Sequence, residues 1–309
     1  MIKVGILGGT SPLAGELIRL LKNHPDVHLQ FVHSTHRAGC CPAECHPDLY
    51  GEELPLFTDS LSMDGIDVLF DCEASEETRA ILPNLPTEIK IIDCTAFGHG
   101  ASTVSDSIYG LPELNRRATC RATRVTNPGE VATCVLLGLL PLAKNLMLND
   151  SVAIHLWGDN HDRHTTGCDG EIHHAFAHPQ LTEIKDALRQ LQNSFAAELN
   201  IITYRSLCRH AMQAVITLST KVSVEEITRM FEEYYERDSF VHLVPTRVTP
   251  QAVAHSNKCF VHLEKVGEKL LITSCIDPLL KGGVGQAVHN MNLLFNLEET
   301  VGLRLKGNG

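Results

Sequence analysis

The sequence predicts an α/β doubly wound parallel sheet followed by an α+β domain on a mixed or antiparallel sheet. Three observations support this. Residues 2–7 form a β-branched apolar run that opens into Gly8-Gly9-Thr10-Ser11, then a helical pattern with Leu17, Leu20 and Leu21 on one face. Strand-like runs and helical stretches then alternate as far as Arg124-Val125, the pattern of parallel strands joined by crossover helices. After Asn149 the strand candidates lengthen and helices group between them, which suits a sheet with antiparallel pairs. The expected domains are 1–148 and 149–281, with 282–309 packing back on the first.

The 309 residues are enough for two domains with sizeable cores. The formal net charge of -11 disfavours nucleic acid or an anionic membrane as partner, because phosphate binding needs a basic patch. No apolar run approaches the roughly 18–20 residues that span a bilayer, and the chain opens directly into a strand-like run. Eleven cysteines without framework spacing suit a reducing compartment. The expected location is the cytoplasm.

Strand, glycine turn and helix at the N-terminus form the layout of a Rossmann-type dinucleotide site, with a pyrophosphate facing the helix N-terminus. Gly8, Gly9, Thr10 and Ser11 are the candidate phosphate contacts; Ser11 and Ala14 stand where glycines are usual. The second strand, 27–32, ends in His33-Ser34-Thr35-His36-Arg37 without an acidic residue. That favours a 2′-phosphate held by Ser34 and Arg37, and so NADP(H). Cys40, Cys41, Cys45 and His46 lack a paired second knuckle and are read as loop residues without metal. Residues 66–70 and 89–93 are buried-strand candidates, with a crossover helix near 77–82. In the second half, 151–157, 201–204, 214–219, 259–263 and 270–275 are strand candidates; 179–191 and 224–235 are helical.

Asn127-Pro128-Gly129 is turn chemistry ahead of an apolar helix that starts with Glu130. A helix N-terminus stabilises negative charge, so an enzyme would place a thiolate or an oxyanion there. This chain places Glu130 there. Cys134, one helical turn later, is read as a core residue.

Several blocks resemble the N-acetyl-γ-glutamyl-phosphate reductase family, which is related to aspartate-semialdehyde dehydrogenase. They are G-I-L-G-G-T with G-E-L-I-R-L-L, H-P-D-L-Y-G from His46, Y-G-L-P-E-L from Tyr109, Asn127-Pro128-Gly129, L-L-P-L from Leu139, and K-G-G-V-G-Q-A-V-H-N-M-N from Lys281. The resemblance covers nearly the whole chain. It implies an NADP-dependent oxidoreductase of arginine biosynthesis, with a Rossmann domain, an α+β catalytic and dimerisation domain, and a homodimer or homotetramer. It also puts Gly283 and Asn290 with the cofactor.

The resemblance breaks at the reaction site. Family members follow Asn-Pro-Gly with a catalytic cysteine, which takes the acyl group as a thioester that hydride reduces; here the position is Glu130. The family's histidine-x-histidine reads His178-Pro179-Gln180, ahead of Thr182-Glu183-Ile184. Its glycine-rich substrate loop reads Trp157-Gly158-Asp159-Asn160-His161, its Asp-Tyr/Phe-Arg reads Phe97-Gly98-His99, and its Pro-Arg-Gly reads Arg209-His210-Ala211. The catalytic candidates are therefore Glu130 and His178, with no metal ligand assigned. Three functions fit: a non-catalytic relative acting by binding, a reductase still active, or a site rebuilt for new chemistry. The last would use Glu130 with His99, His161, His164, Cys168, His173, His174 and His178, a set competent for acid–base or metal work.

Overall fold

A computed structural model describes residues 1–73, 75–95, 107–158, 168–208 and 210–303. The chain divides into two compact units, Met1–Pro128 with residues 283–303, and Gly129–Gly282.

The first unit holds β1 (Ile2–Leu7), α1 (Pro12–Lys22), β2 (Val27–His33), β3 (Phe57–Thr58), β4 (Val68–Asp71), α2 (Glu76–Ile81), β5 (Lys90–Asp93), β6 (Ile108–Tyr109), α3 (Pro112–Thr119) and β7 (Arg124–Thr126). The strands form one sheet in the order β3-β2-β1-β4-β5-β7-β6, and every pairing is parallel. Chain order reverses between β1 and β4, so the crevice for a ligand lies outside the carboxyl ends of those strands. β4 is buried at every position, as expected of a parallel strand covered on both faces. The C-terminal helix, Gly285–Leu294, belongs to this unit and is buried at every residue, polar ones included. Several of its polar groups are paired within the unit. Asn292 Oδ1 meets His24 Nε2 at 3.0 Å, its Nδ2 donates to the Val301 carbonyl at 2.9 Å, and His289 Nε2 lies 3.0 Å from Glu299 Oε2.

The second unit holds α4 (Glu130–Lys144), β8 (Val152–Trp157), β9 (Ile172–Ala175), α5 (Leu181–Leu191), β10 (Leu199–Tyr204), β11 (Met212–Ser219), α6 (Val224–Tyr235), β12 (Val241–Leu243), β13 (Cys259–Val266) and β14 (Lys269–Ile276). Its sheet runs β12-β13-β14-β11-β8-β10-β9. It is mixed: β8–β10 and β12–β13 are parallel, the other pairings antiparallel. Along β8, β10 and β11 burial alternates residue by residue, so one face is core and the other half-exposed.

Helix α4 packs on β11, β13, β14, α5 and α6, and fourteen of its fifteen residues are buried. The expected boundary at 148 therefore falls too late: the division comes at 128, and α4 is the central helix of the second unit. A helix apolar on all sides carries no periodicity to say which sheet it covers.

Candidate active site

Gly129 is the N-cap of α4, and Glu130 is its first helical residue. A Cβ at Gly129 would lie 2.3 Å from the Gln180 side chain, so only glycine lets the amide of Gln180 approach. Gln180 Oε1 accepts the Ala132 N–H at 2.8 Å, and its Nε2 donates to Glu130 Oε2 at 3.3 Å. Glu183 Oε1 accepts the Gly129 N–H at 3.0 Å. Two donors at the start of α4, where an anion would bind, are thus taken by side chains from the start of α5. Glu130 is 2% exposed and Gln180 fully buried.

His178 reaches the same cluster. Its Nδ1 accepts the Gln180 N–H at 3.1 Å, which puts the proton of a neutral ring on Nε2. His174 packs edge-on against it at 5.0 Å between ring centroids, and His173 against His174 at 4.1 Å. His178 thus adjoins Gln180, which holds Glu130, with His174 and His173 packed in turn behind it. Cys168 is exposed, while His99, His161, His164 and Arg209 lie outside the described residues. Among the described residues, no group of three metal-ligand atoms forms around Glu130.

Cys134 is fully buried and its Sγ lies 3.3 Å from the Ser274 carbonyl. Burial pushes its thiol well above the ordinary range, and neighbouring Cys259 and Cys275 push it further. It cannot stand in for a thiolate nucleophile.

The cofactor candidates fall into two groups within the first unit. Gly8 has φ +72°, and the Gly9 N–H donates to the His33 carbonyl at 2.8 Å, which ties the glycine turn to the end of β2 just before Ser34. Ser11 is the N-cap of α1: its Oγ accepts the Ala14 N–H at 3.1 Å, with Pro12 next. His46 supports the turn through Nε2, 2.8 Å from the Gly9 carbonyl. Thr10 and Arg37 are exposed, Ser34 buried. The second group surrounds Asn127, after β7. Asn127 Nδ2 donates to the Gly283 carbonyl at 3.0 Å, and Asn290 Nδ2 to the Gly110 carbonyl at 2.8 Å. Asn290 Oδ1 is buried without a hydrogen-bond partner among the described residues.

The only sequence signal for Glu183, which holds the Gly129 N–H, is the retained Glu-Ile of the family's P-E-I. Asn127 carries only a turn signal in the sequence, because its partners in the Asn290 network lie 156 and 163 residues away.

Residues 3–122 match the family model described as "Semialdehyde dehydrogenase, NAD binding domain", and 131–278 match "Semialdehyde dehydrogenase, dimerisation domain". The fold is shared with aspartate semialdehyde dehydrogenase II of Vibrio cholerae, solved with ASA, at a TM-score of 0.73 and 12% identity, covering 96% of this chain and 98% of that one. The Candida albicans aspartate semialdehyde dehydrogenase solved with NADP gives 0.72 at 12% identity, covering 96% and 98%. The architecture is therefore that of the semialdehyde dehydrogenases. At closer range the chain is 52% identical over 318 residues to the N-acetyl-gamma-glutamyl-phosphate reductase of Bacteroides fragilis and 51% to that of Bacteroides thetaiotaomicron, covering 99% of both chains each time. The chain belongs to the N-acetyl-gamma-glutamyl-phosphate reductase family. Among the described residues, no helix is long and apolar enough to cross a membrane.

Proposed function

We propose that this chain is a non-catalytic member of the family, of arginine-biosynthesis descent, which acts by binding rather than by reducing an acyl phosphate. One observation carries the reading: Gln180 is seated on the N-terminus of α4 and holds the buried Glu130. The family reaction needs a thiolate at that position and room for an acyl group beside free N–H donors. A carboxylate is a far weaker nucleophile, and it forms no thioester.

NADP(H) is the cofactor this reading retains. The Gly8–Ser11 turn and the α1 N-terminus would take the pyrophosphate, and Ser34 and Arg37 the 2′-phosphate. Arg37 is exposed and has no ion-pair partner among the described residues. The unpartnered Oδ1 of Asn290 suits a carboxamide N–H donor. When bound, the cofactor supplies a hydride; with no acyl-enzyme to receive it, the residues here only bind and orient. A cytoplasmic homodimer or homotetramer is part of the same reading. The half-exposed sheet face, where Trp157 stacks on Tyr204 at 4.7 Å, is the surface for a second copy.

The test is phosphate-dependent, NADP-linked oxidation of N-acetyl- or N-succinyl-glutamate semialdehyde. Neither the native protein nor Glu130→Cys is expected to turn over. Robust native activity would overturn the reading.

A further inference from the structure

We propose that His210, His255 and Asp277 form a binding site for a divalent transition metal of the zinc class, with ligands other than Glu130, Gln180 and His178. One potential ligand atom from each of the three lies within 4.8 Å of the other two. The fold brings them together by register. β11 and β14 pair Met212 with Ile276, so His210, two residues before β11 residue Met212, faces Asp277, one residue past Ile276. β13 pairs Cys259 with the same Ile276, and His255 precedes Cys259 by four residues.

The carboxylate is the anchor. Asp277 is fully buried. Its Oδ1 accepts the N–H groups of Leu279 at 2.9 Å and Leu280 at 3.2 Å, and its Oδ2 accepts the N–H of His255 at 2.8 Å. These bonds fix the carboxylate's orientation, as outer-shell donors do at metal sites. His210, whose Nδ1 lies 3.0 Å from Oδ2, is its only ionisable partner among the described residues.

Pairing with His210 does not explain the second imidazole. The rings of His210 and His255 have centroids 3.9 Å apart at 38°. Their ring nitrogens are close enough to bind one ion together. His255 is also held at φ +58°, a left-handed conformation that costs a non-glycine residue energy, with its amide fixed by Asp277. A divalent cation accounts for both features. It replaces the proton between His210 and Asp277, takes the free nitrogen of His255, and neutralises the buried charge. Two imidazoles and one carboxylate suit Zn²⁺ or Co²⁺, with water completing the shell.

Metal-stripped full-length protein would be titrated with Co²⁺, read by visible absorption, and with Zn²⁺, read by calorimetry. One equivalent is expected, together with an upward shift in Tm. His255→Ala changes an exposed side chain and should leave the metal-free Tm near its native value while weakening binding at least ~100-fold, beyond the usual effect of an outer-shell change. His210→Ala should weaken binding to the same degree, with a lower metal-free Tm because the buried Asp277 loses its ionisable partner. No binding by the native protein would overturn the site. So would binding that survives both substitutions, which would place the metal on other histidines or cysteines.

Discussion

The hydroxyl of Tyr235, at the end of α6, donates to the carbonyl oxygen of Leu137 at 2.6 Å. Leu137 lies four residues before Pro141, which sits inside α4 and has no N–H to return. Tyr235 therefore satisfies the buried carbonyl that proline leaves open and joins α6 to the central helix. Tyr235→Phe should cost ~1–3 kcal/mol, the penalty for an unsatisfied buried acceptor. In a Pro141→Ala background, where the substituted alanine supplies the missing N–H, the same change should cost clearly less. Urea unfolding of the four variants measures the difference, and equal costs in both backgrounds would contradict this account.

A thiol placed at a free helix N-terminus has a depressed pKa. In Glu130→Cys the Ala132 donor would still be held by Gln180 and the Gly129 donor by Glu183. The introduced thiol should then titrate no lower than about 8, near an ordinary cysteine. Adding Gln180→Ala should lower that value by freeing the Ala132 N–H. The pH dependence of alkylation gives both; a pKa below about 7 in the single variant would show an open helix terminus.

Arg37→Ala should weaken NADPH binding at least ~10-fold and leave NADH nearly unchanged, since only the former carries the 2′-phosphate. Native protein should prefer NADPH by calorimetry. Equal affinities, or tighter NADH, would count against the proposed phosphate contacts.

The cysteines should separate by environment. Cys168 is exposed and should label first at pH 8, whereas Cys72, Cys94, Cys134, Cys259 and Cys275 are buried and should stay unlabelled until unfolding. Burial pushes the Cys275 thiol up to about 11. The unfolded chain releases that proton near the ordinary value while the folded chain keeps it. Its contribution to stability is therefore intact below about pH 9 and is lost as pH rises towards 11. Cys275→Ala should flatten the fall in Tm across that window.

Val215 lies on the half-exposed face of β11, opposite His155 of β8. If a second copy covers this face, Val215→Glu should shift light scattering from dimer towards monomer without unfolding the chain. An unchanged mass would move the interface elsewhere.

The parallel strands of the first unit were legible because each is a short apolar run bounded by turn residues, as in residues 2–7 and 89–93. β3 and β6 were not, since Phe57–Thr58 and Ile108–Tyr109 are two-residue pairings without periodicity. β9 was hidden in a histidine-rich stretch because an exposed edge strand needs no apolar face. At the site, Asn127-Pro128-Gly129 placed Glu130 at a helix start. Its occupant, Gln180, comes from 48 residues beyond the Ala132 it caps, and no local pattern announces a cap of that kind.

The first unit is built from two stretches of chain separated by the whole of the second, and this sets an order of events during synthesis. His24 leaves the ribosome long before Asn292, 268 residues later, and Arg116 waits 183 residues for Glu299. The second unit is complete as a continuous segment while the first still lacks its fully buried C-terminal helix. Nascent chains stalled between residues 128 and 283 therefore present a parallel sheet with all its strands but without the helix that packs against β5, the state in which chaperone capture or aggregation competes with folding.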